Sequence, residues 1–191
     1  MSLSIEGKDT ELRARLVIEG ETVSGHCDRI RELKAEFSHT IRCIARPADG
    51  TCVTHAFGLL EEFRLLVAEL QSLGVKPGSA FITWLLEEGR LVEIDGVRPN
   101  ALALYFEEGS WKHAGVVSGE DRIVSKWGTY GVFDHRLSQV PGNYGNEVRF
   151  FDLPNLAAAA DLFFEFACGE LDLKPEEIDR LREATGMSAP P

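Results

Sequence analysis

The chain is short of basic residues. Its 20 Lys and Arg stand against 31 Asp and Glu, for a formal net charge of -11 and an isoelectric point near 4.9. Nucleic-acid binding draws on Lys and Arg to neutralise phosphates, so that class of partner is excluded. The same acidity opposes an anionic membrane surface. Long apolar runs are missing too. The richest stretch, LAAAADLFFEFAC at 156–168, is interrupted by Asp161 and Glu165 and suits a buried helix better than a membrane span. The opening MSLSIEGKDTELRARL has no apolar core of leader-peptide length, which sets a cytoplasmic location as the expectation. Cysteines are few and scattered: Cys27, Cys43, Cys52 and Cys168 include no CxxC pair, so neither a zinc ribbon nor a thioredoxin-type motif is present. In a chain of this length they are expected to be reduced thiols, and no metal or cofactor is expected. Internal repeats and low-complexity linkers are absent from the sequence.

What remains is ordinary globular composition, 44% hydrophobic and 27% charged, enough to bury one core. A single domain over 1–191 is expected, with a core at about 49–151. An N-terminal α/β extension at about 10–46 and C-terminal helices at about 155–186 flank it. In the extension, 13–18 (RARLVI) suggests a strand, 28–37 (DRIRELKAEF) a short amphipathic helix, and 40–45 (TIRCIA) a strand. The turn cluster at 46–50 stops the chain. From Thr51 onward apolar residues recur three and four apart (Ala56, Phe57, Leu59, Leu60, Phe63, Leu66, Val67, Leu70, Leu73), the mark of one buried helical face, with room for a break near Gly58. A second helix fits 79–88, capped by Ser79 and stopped by Gly89, with a strand at 80–86 as the alternative. Then the pattern changes. The segments 91–94, 101–106, 111–117 and 122–127 are short, rich in β-formers and separated by turn signals, as in an antiparallel meander, and 147–151 (EVRFF) adds one more strand. After Pro154 the chain turns helical again at 155–168 and 175–185, before a frayed tail at 187–191. Helix, antiparallel sheet and helices in succession make the class α+β.

A thiol attacks a carbonyl as thiolate, a form favoured where free N–H groups or an imidazole lie beside it. Cys52 follows a turn and opens the long helical pattern, whereas Cys43 falls in a strand pattern, Cys168 near a helix end and Cys27 before a charged helix. His113 leads the strand pattern WKHAGVV, where the small Ala114–Gly115 pair leaves room for another element against the ring. His55, one helical turn after Cys52, is an alternative base. Gly25-His26-Cys27, with no distant partner motif, is better taken as a solvated turn than a metal site. Lys126 alternates with Ser125 and is expected to face the other way.

The run TCVTHAFGLL, followed 61 residues after Cys52 by HAGVVSGEDRIVSKWG, resembles the signature of the NlpC-type cysteine peptidases and amidases. There a Cys opens a helix and a His begins a strand of the form His-small-Gly-apolar-apolar. The resemblance covers residues 49 to about 151. Bacterial relatives of that family also carry an SKWG-like motif and a later Tyr-Gly pair, which here are Ser125-Lys126-Trp127-Gly128 and Tyr144-Gly145. It implies a papain-like fold and a thiol hydrolase acting on peptide-like amides, with Cys52 as nucleophile and His113 as base; the sulfur is then expected within about 4.5 Å of a His113 ring nitrogen. Acyl transfer and deamidation use the same two residues, and a binding or accessory module with a degraded site is the alternative. Two departures stand out. The family's Asp-Cys-Ser-Gly opening is here Thr51-Cys52-Val53-Thr54, and the third catalytic position, which orients the His ring, is Ser125, with Asp134 on a following loop as its rival.

Overall fold

A computed structural model describes residues 2–17, 23–45 and 49–187. Seven strands form one sheet: β1 (Leu3–Ser4), β2 (Arg42–Ala45), β3 (Leu102–Glu107), β4 (Ser110–Gly119), β5 (Arg122–Trp127), β6 (Gly131–Arg136) and β7 (Glu147–Phe151). Their order is β1-β7-β3-β4-β5-β6-β2, and each neighbouring pair is antiparallel. Strands β3 to β6 form an antiparallel meander; β3, β4 and β5 match expected strands, while β6 stands where none was expected. Strand β7 returns beside β3, and β2 closes the far edge against β6.

Helices cover both faces, so side-chain alternation along each strand feeds two separate cores. On one face lie α3 (Cys52–Ala56), α4 (Leu59–Glu62), α5 (Arg64–Ser72), α6 (Ser79–Glu87), α7 (Leu156–Glu170) and α8 (Pro175–Thr185). They bury Phe81, Phe163 and Phe166 together with Leu102, Leu104 and Ala114 of the sheet. The other face is covered by α1 (Thr10–Arg15) and α2 (Val23–Phe37). Leu12, Leu16, Ile30 and Leu33 pack there on Ala103, Tyr105, Val117, Ile123, Trp127 and Phe133. Among the described residues no helix is long and apolar enough to cross a membrane.

Four local expectations are corrected. Residues 13–17 are helix and its exit, not strand, because Leu12 and Leu16 share one buried face at a spacing of four. Ile18 lies outside the described residues, as do 46–48 of the expected turn and 188–191 of the tail. The segment 91–94 lies along the outer edge of β7 through Ile94 N–H to Phe150 O and Asp152 N–H to Val92 O, and makes a single bridge, Glu93–Phe151, rather than a strand. The helical pattern after Thr51 divides at Gly58 (φ 67°) as expected, but Gly25-His26-Cys27 lies within α2, with His26 and Cys27 buried, and is not a solvated turn. Asp134 belongs to a strand, β6, and not to a loop.

Candidate functional site

Cys52 is the first residue of α3, placed there by the threonines on either side of it. Thr51 accepts the N–H of Thr54 at 3.1 Å, and Thr54 Oγ1 takes the N–H of Thr51 at 2.7 Å, a reciprocal cap that fixes the helix start. Thr51 Oγ1 also donates to the carbonyl of Pro77 at 2.7 Å. Gly50 is required just ahead, since its φ is 87° and an added Cβ would sit 2.4 Å from Thr54 Oγ1.

The short helix packs on both β4 and β5. The ladder between these strands runs from Gly119–Arg122 only as far as Val116–Val124. Beyond it, the Ala114 N–H is turned to the Cys52 sulfur, joined by those of Val53 and Cys52 itself. Burial is the strongest influence on the thiol and pushes it up, while these N–H groups and the charge of Lys126 pull the other way without reversing it. The resting group is therefore a neutral thiol.

His113 directly precedes Ala114, so alternation sends its ring to the opposite face of β4. It is buried and stacked on Tyr144, with ring centroids 3.9 Å apart, and tilted against Tyr105 at 5.8 Å. Burial first, then the like charges of His135 and His55, hold it well below the usual imidazole range, so it is neutral. Its Nε2 is buried without a partner. Among the described residues no hydrogen bond joins Cys52 to His113, so the expected contact is not formed.

The expected orienting groups serve other residues. Ser125 does share the face of His113, and Gly115 permits this, since a Cβ there would lie 2.8 Å from that of Ser125. Its hydroxyl, however, bonds His135 Nε2 at 2.8 Å and accepts the Trp127 indole N–H at 2.9 Å. Because His135 Nδ1 faces the Arg136 carbonyl at 2.8 Å, it must carry the ring proton, leaving Nε2 to accept from Ser125. Asp134 lies on the other face, its carboxylate gripped by Arg122 at 2.8 Å and by Arg42. Burial raises this carboxyl, but the two arginines outweigh it and hold it below the usual range. Neither residue orients His113 here.

Three residues not assigned to the site by sequence reading belong beside it. Lys126 faces away from Ser125, as alternation requires, and so lies on the side of Cys52. It is 1% exposed, donates to the Gly128 carbonyl, and lines a cavity of about 410 Å³ with Thr54, His55, Asp49, Glu61 and Arg64. Tyr144 caps the His113 ring, and its hydroxyl meets the Gly128 N–H. Gly145 must lack a side chain, because at its φ of 104° a Cβ would fall 2.3 Å from the Phe106 carbonyl oxygen. Thus the SKWG and Tyr-Gly motifs converge on the ground between Cys52 and His113. Arg13, from α1, holds the second motif in place. Only 4% exposed, it donates to Val140 O at 3.3 Å, to Asn146 Oδ1 at 2.7 Å and to Gly145 O. Arg13→Met keeps the apolar stem but leaves these acceptors unpaired, and is expected to cost about 2–3 kcal/mol in urea unfolding. Arg13→Lys should recover only part of it, since an ammonium cannot span the three acceptors.

No family model matches the chain, and no curated protein or solved structure does either.

Proposed function

We propose that this chain is a thiol hydrolase of the papain-like NlpC type, opening an amide bond in a peptide-like substrate with Cys52 as nucleophile and His113 as base. The observation that carries the reading is the setting of the Cys52 sulfur: it faces backbone N–H groups of its own helix and the N–H of Ala114, the residue next to His113. A core cysteine needs no such donors. A thiolate does, and so does the oxyanion that forms beside it.

Sulfur attacks the acyl carbon as its proton passes to the vacant Nε2 of His113. The N–H groups hold the oxyanion, and His113 returns the proton to the departing amine. Water then opens the thioester, releasing the acid and restoring the thiol. Because thiol and imidazole are both neutral at rest, proton transfer accompanies attack. Lys126 adds positive charge on the sulfur side.

A second reading has its own support. The thiol is raised, and Ser125 and Asp134 are occupied elsewhere, as in a fold kept for binding after its chemistry has lapsed. Activated esters and thioesters of short acyl-peptides separate the two. A hydrolase should accumulate an acyl group on Cys52, located by peptide mapping and absent from Cys52→Ser. Failure of every ester to acylate Cys52, with iodoacetamide labelling no faster than in the unfolded chain, would leave the binding module as the answer.

A further inference from the structure

Two other cysteines, far from any role in amide hydrolysis, lie sulfur to sulfur. Cys27 on α2 and Cys43 on the edge strand β2 are 16 positions apart in the chain, with their sulfurs at 3.2 Å. Cys27 is 2% exposed, whereas Cys43 is open to solvent. The strand is shaped for this approach. A bulge between Cys43 and Ala45 breaks the register with β6, and Gly131 opposite them has no side chain; a Cβ there would lie 2.8 Å from Ala45 O and 3.7 Å from Cys43 Sγ. A disulfide requires the sulfurs at about 2.05 Å, so closure is a movement of roughly an ångström.

We infer that Cys27 and Cys43 form a reversible oxidation site, whose substrates are peroxides and small disulfides and whose product is a disulfide joining α2 to β2. With a peroxide, the exposed Cys43 thiolate attacks the O–O bond, becomes a sulfenic acid and releases an alcohol or water. The Cys27 sulfur then displaces hydroxide from it, and water leaves as the S–S bond forms. Two thiols supply two electrons to one peroxide. With a small disulfide, Cys43 first takes up half of it, and Cys27 expels that half as a thiol. The inner sulfur resolves what the outer sulfur captures.

The link matters because of where β2 stands. Among the described residues it pairs with β6 alone, and it ends at Ala45, seven positions before Cys52. Oxidation therefore fastens the otherwise one-sided strand that leads into the thiol-bearing helix. Nothing in this inference depends on Cys52 being a nucleophile.

The test uses the full chain, reduced, freed of reductant and then exposed to hydrogen peroxide or to oxidised glutathione in modest excess. Mapping must cut before Asp49, which separates Cys43 from Cys52. The expected product is a linked pair of peptides carrying Cys27 and Cys43, abolished by dithiothreitol and absent from Cys43→Ser. In Cys27→Ser, glutathione should remain on Cys43 as a stable mixed disulfide. Closing a loop of this size should raise the melting temperature of the wild type by roughly 5–10 °C, with no rise in Cys43→Ser. If wild-type Cys43 keeps glutathione or passes to sulfinic acid while Cys27 still alkylates, the pair is not a site. If the link forms but the melting temperature does not rise, it is no staple for β2.

Discussion

Replacing His113 by glutamine should lower the turnover of amide hydrolysis by roughly a thousandfold, within the range expected for loss of a general acid and base, which corresponds to about 4 kcal/mol of barrier. The same exchange at His55 should cost less than tenfold. The two rings differ in what they can offer. His55 sits one turn along α3 from the nucleophile, on the wall of a charged cavity, lowered chiefly by burial, with Glu61 raising it and Lys126 lowering it. His113 is adjacent to the strand N–H that meets the sulfur, and its Nε2 is unclaimed. The exchange at His113 is mild for the fold, because that nitrogen makes no hydrogen bond to lose. Its main structural cost is the stack on Tyr144, worth about 0.5–1.5 kcal/mol for an aromatic pair. Steady-state rates on an activated amide, with melting temperatures as the folding control, decide the matter. A thousandfold loss in His55→Gln with a small one in His113→Gln would make His55 the base.

Much of this arrangement is legible in the sequence because it rests on local rules. The helix start at Cys52, the break at Gly58, strands β4, β5 and β7 and helix α8 follow from capping residues, periodicity and turn signals within a few positions of each other. What is not legible depends on which face of the sheet meets which helix. Lys126 is a good case: alternation correctly sends it away from Ser125, but nothing local says that α3 lies on that side. Ser125 is the mirror case. Its face is foreseen, yet its hydroxyl is taken by His135, a residue on a strand whose pattern, GVFDHR, carries too little alternation to announce itself. Arg13 shows the limit most sharply. Its three acceptors lie between Val140 and Asn146, more than 120 positions away, and its own segment reads more readily as strand than as the helix that delivers it.

The protein should lose stability steeply between pH 7 and pH 5, and histidines should be the cause. All five have their pKa lowered in the folded chain, with burial as the leading reason in each case. His26 and His135 are brought down to about 4. In the unfolded chain each titrates near 6.5. As pH falls below that value the unfolded state takes up protons that the folded state refuses, so these groups' contribution is complete above about 6.5. It drains away as pH drops toward 4, where the folded rings begin to charge as well. From pH 7 to pH 5, His26 and His135 together should remove about 4 kcal/mol, and the other three act in the same direction. That is a large part of the ~5–15 kcal/mol available to a domain. Glu93 and Asp134, themselves lowered, titrate near 4 in the unfolded chain and so act below this window. His26 is the position at which to test it. Both of its ring nitrogens are buried without partners, and it stacks on Tyr130 with centroids 4.2 Å apart. His26→Phe preserves an aromatic stack and removes one titration, so urea unfolding should show a loss between pH 7 and pH 5 that is smaller by about 2 kcal/mol than in the wild type. Packing differences shift both pH values alike and leave that comparison intact. An unchanged loss in the variant would mean that His26 reaches water and charges in the folded state.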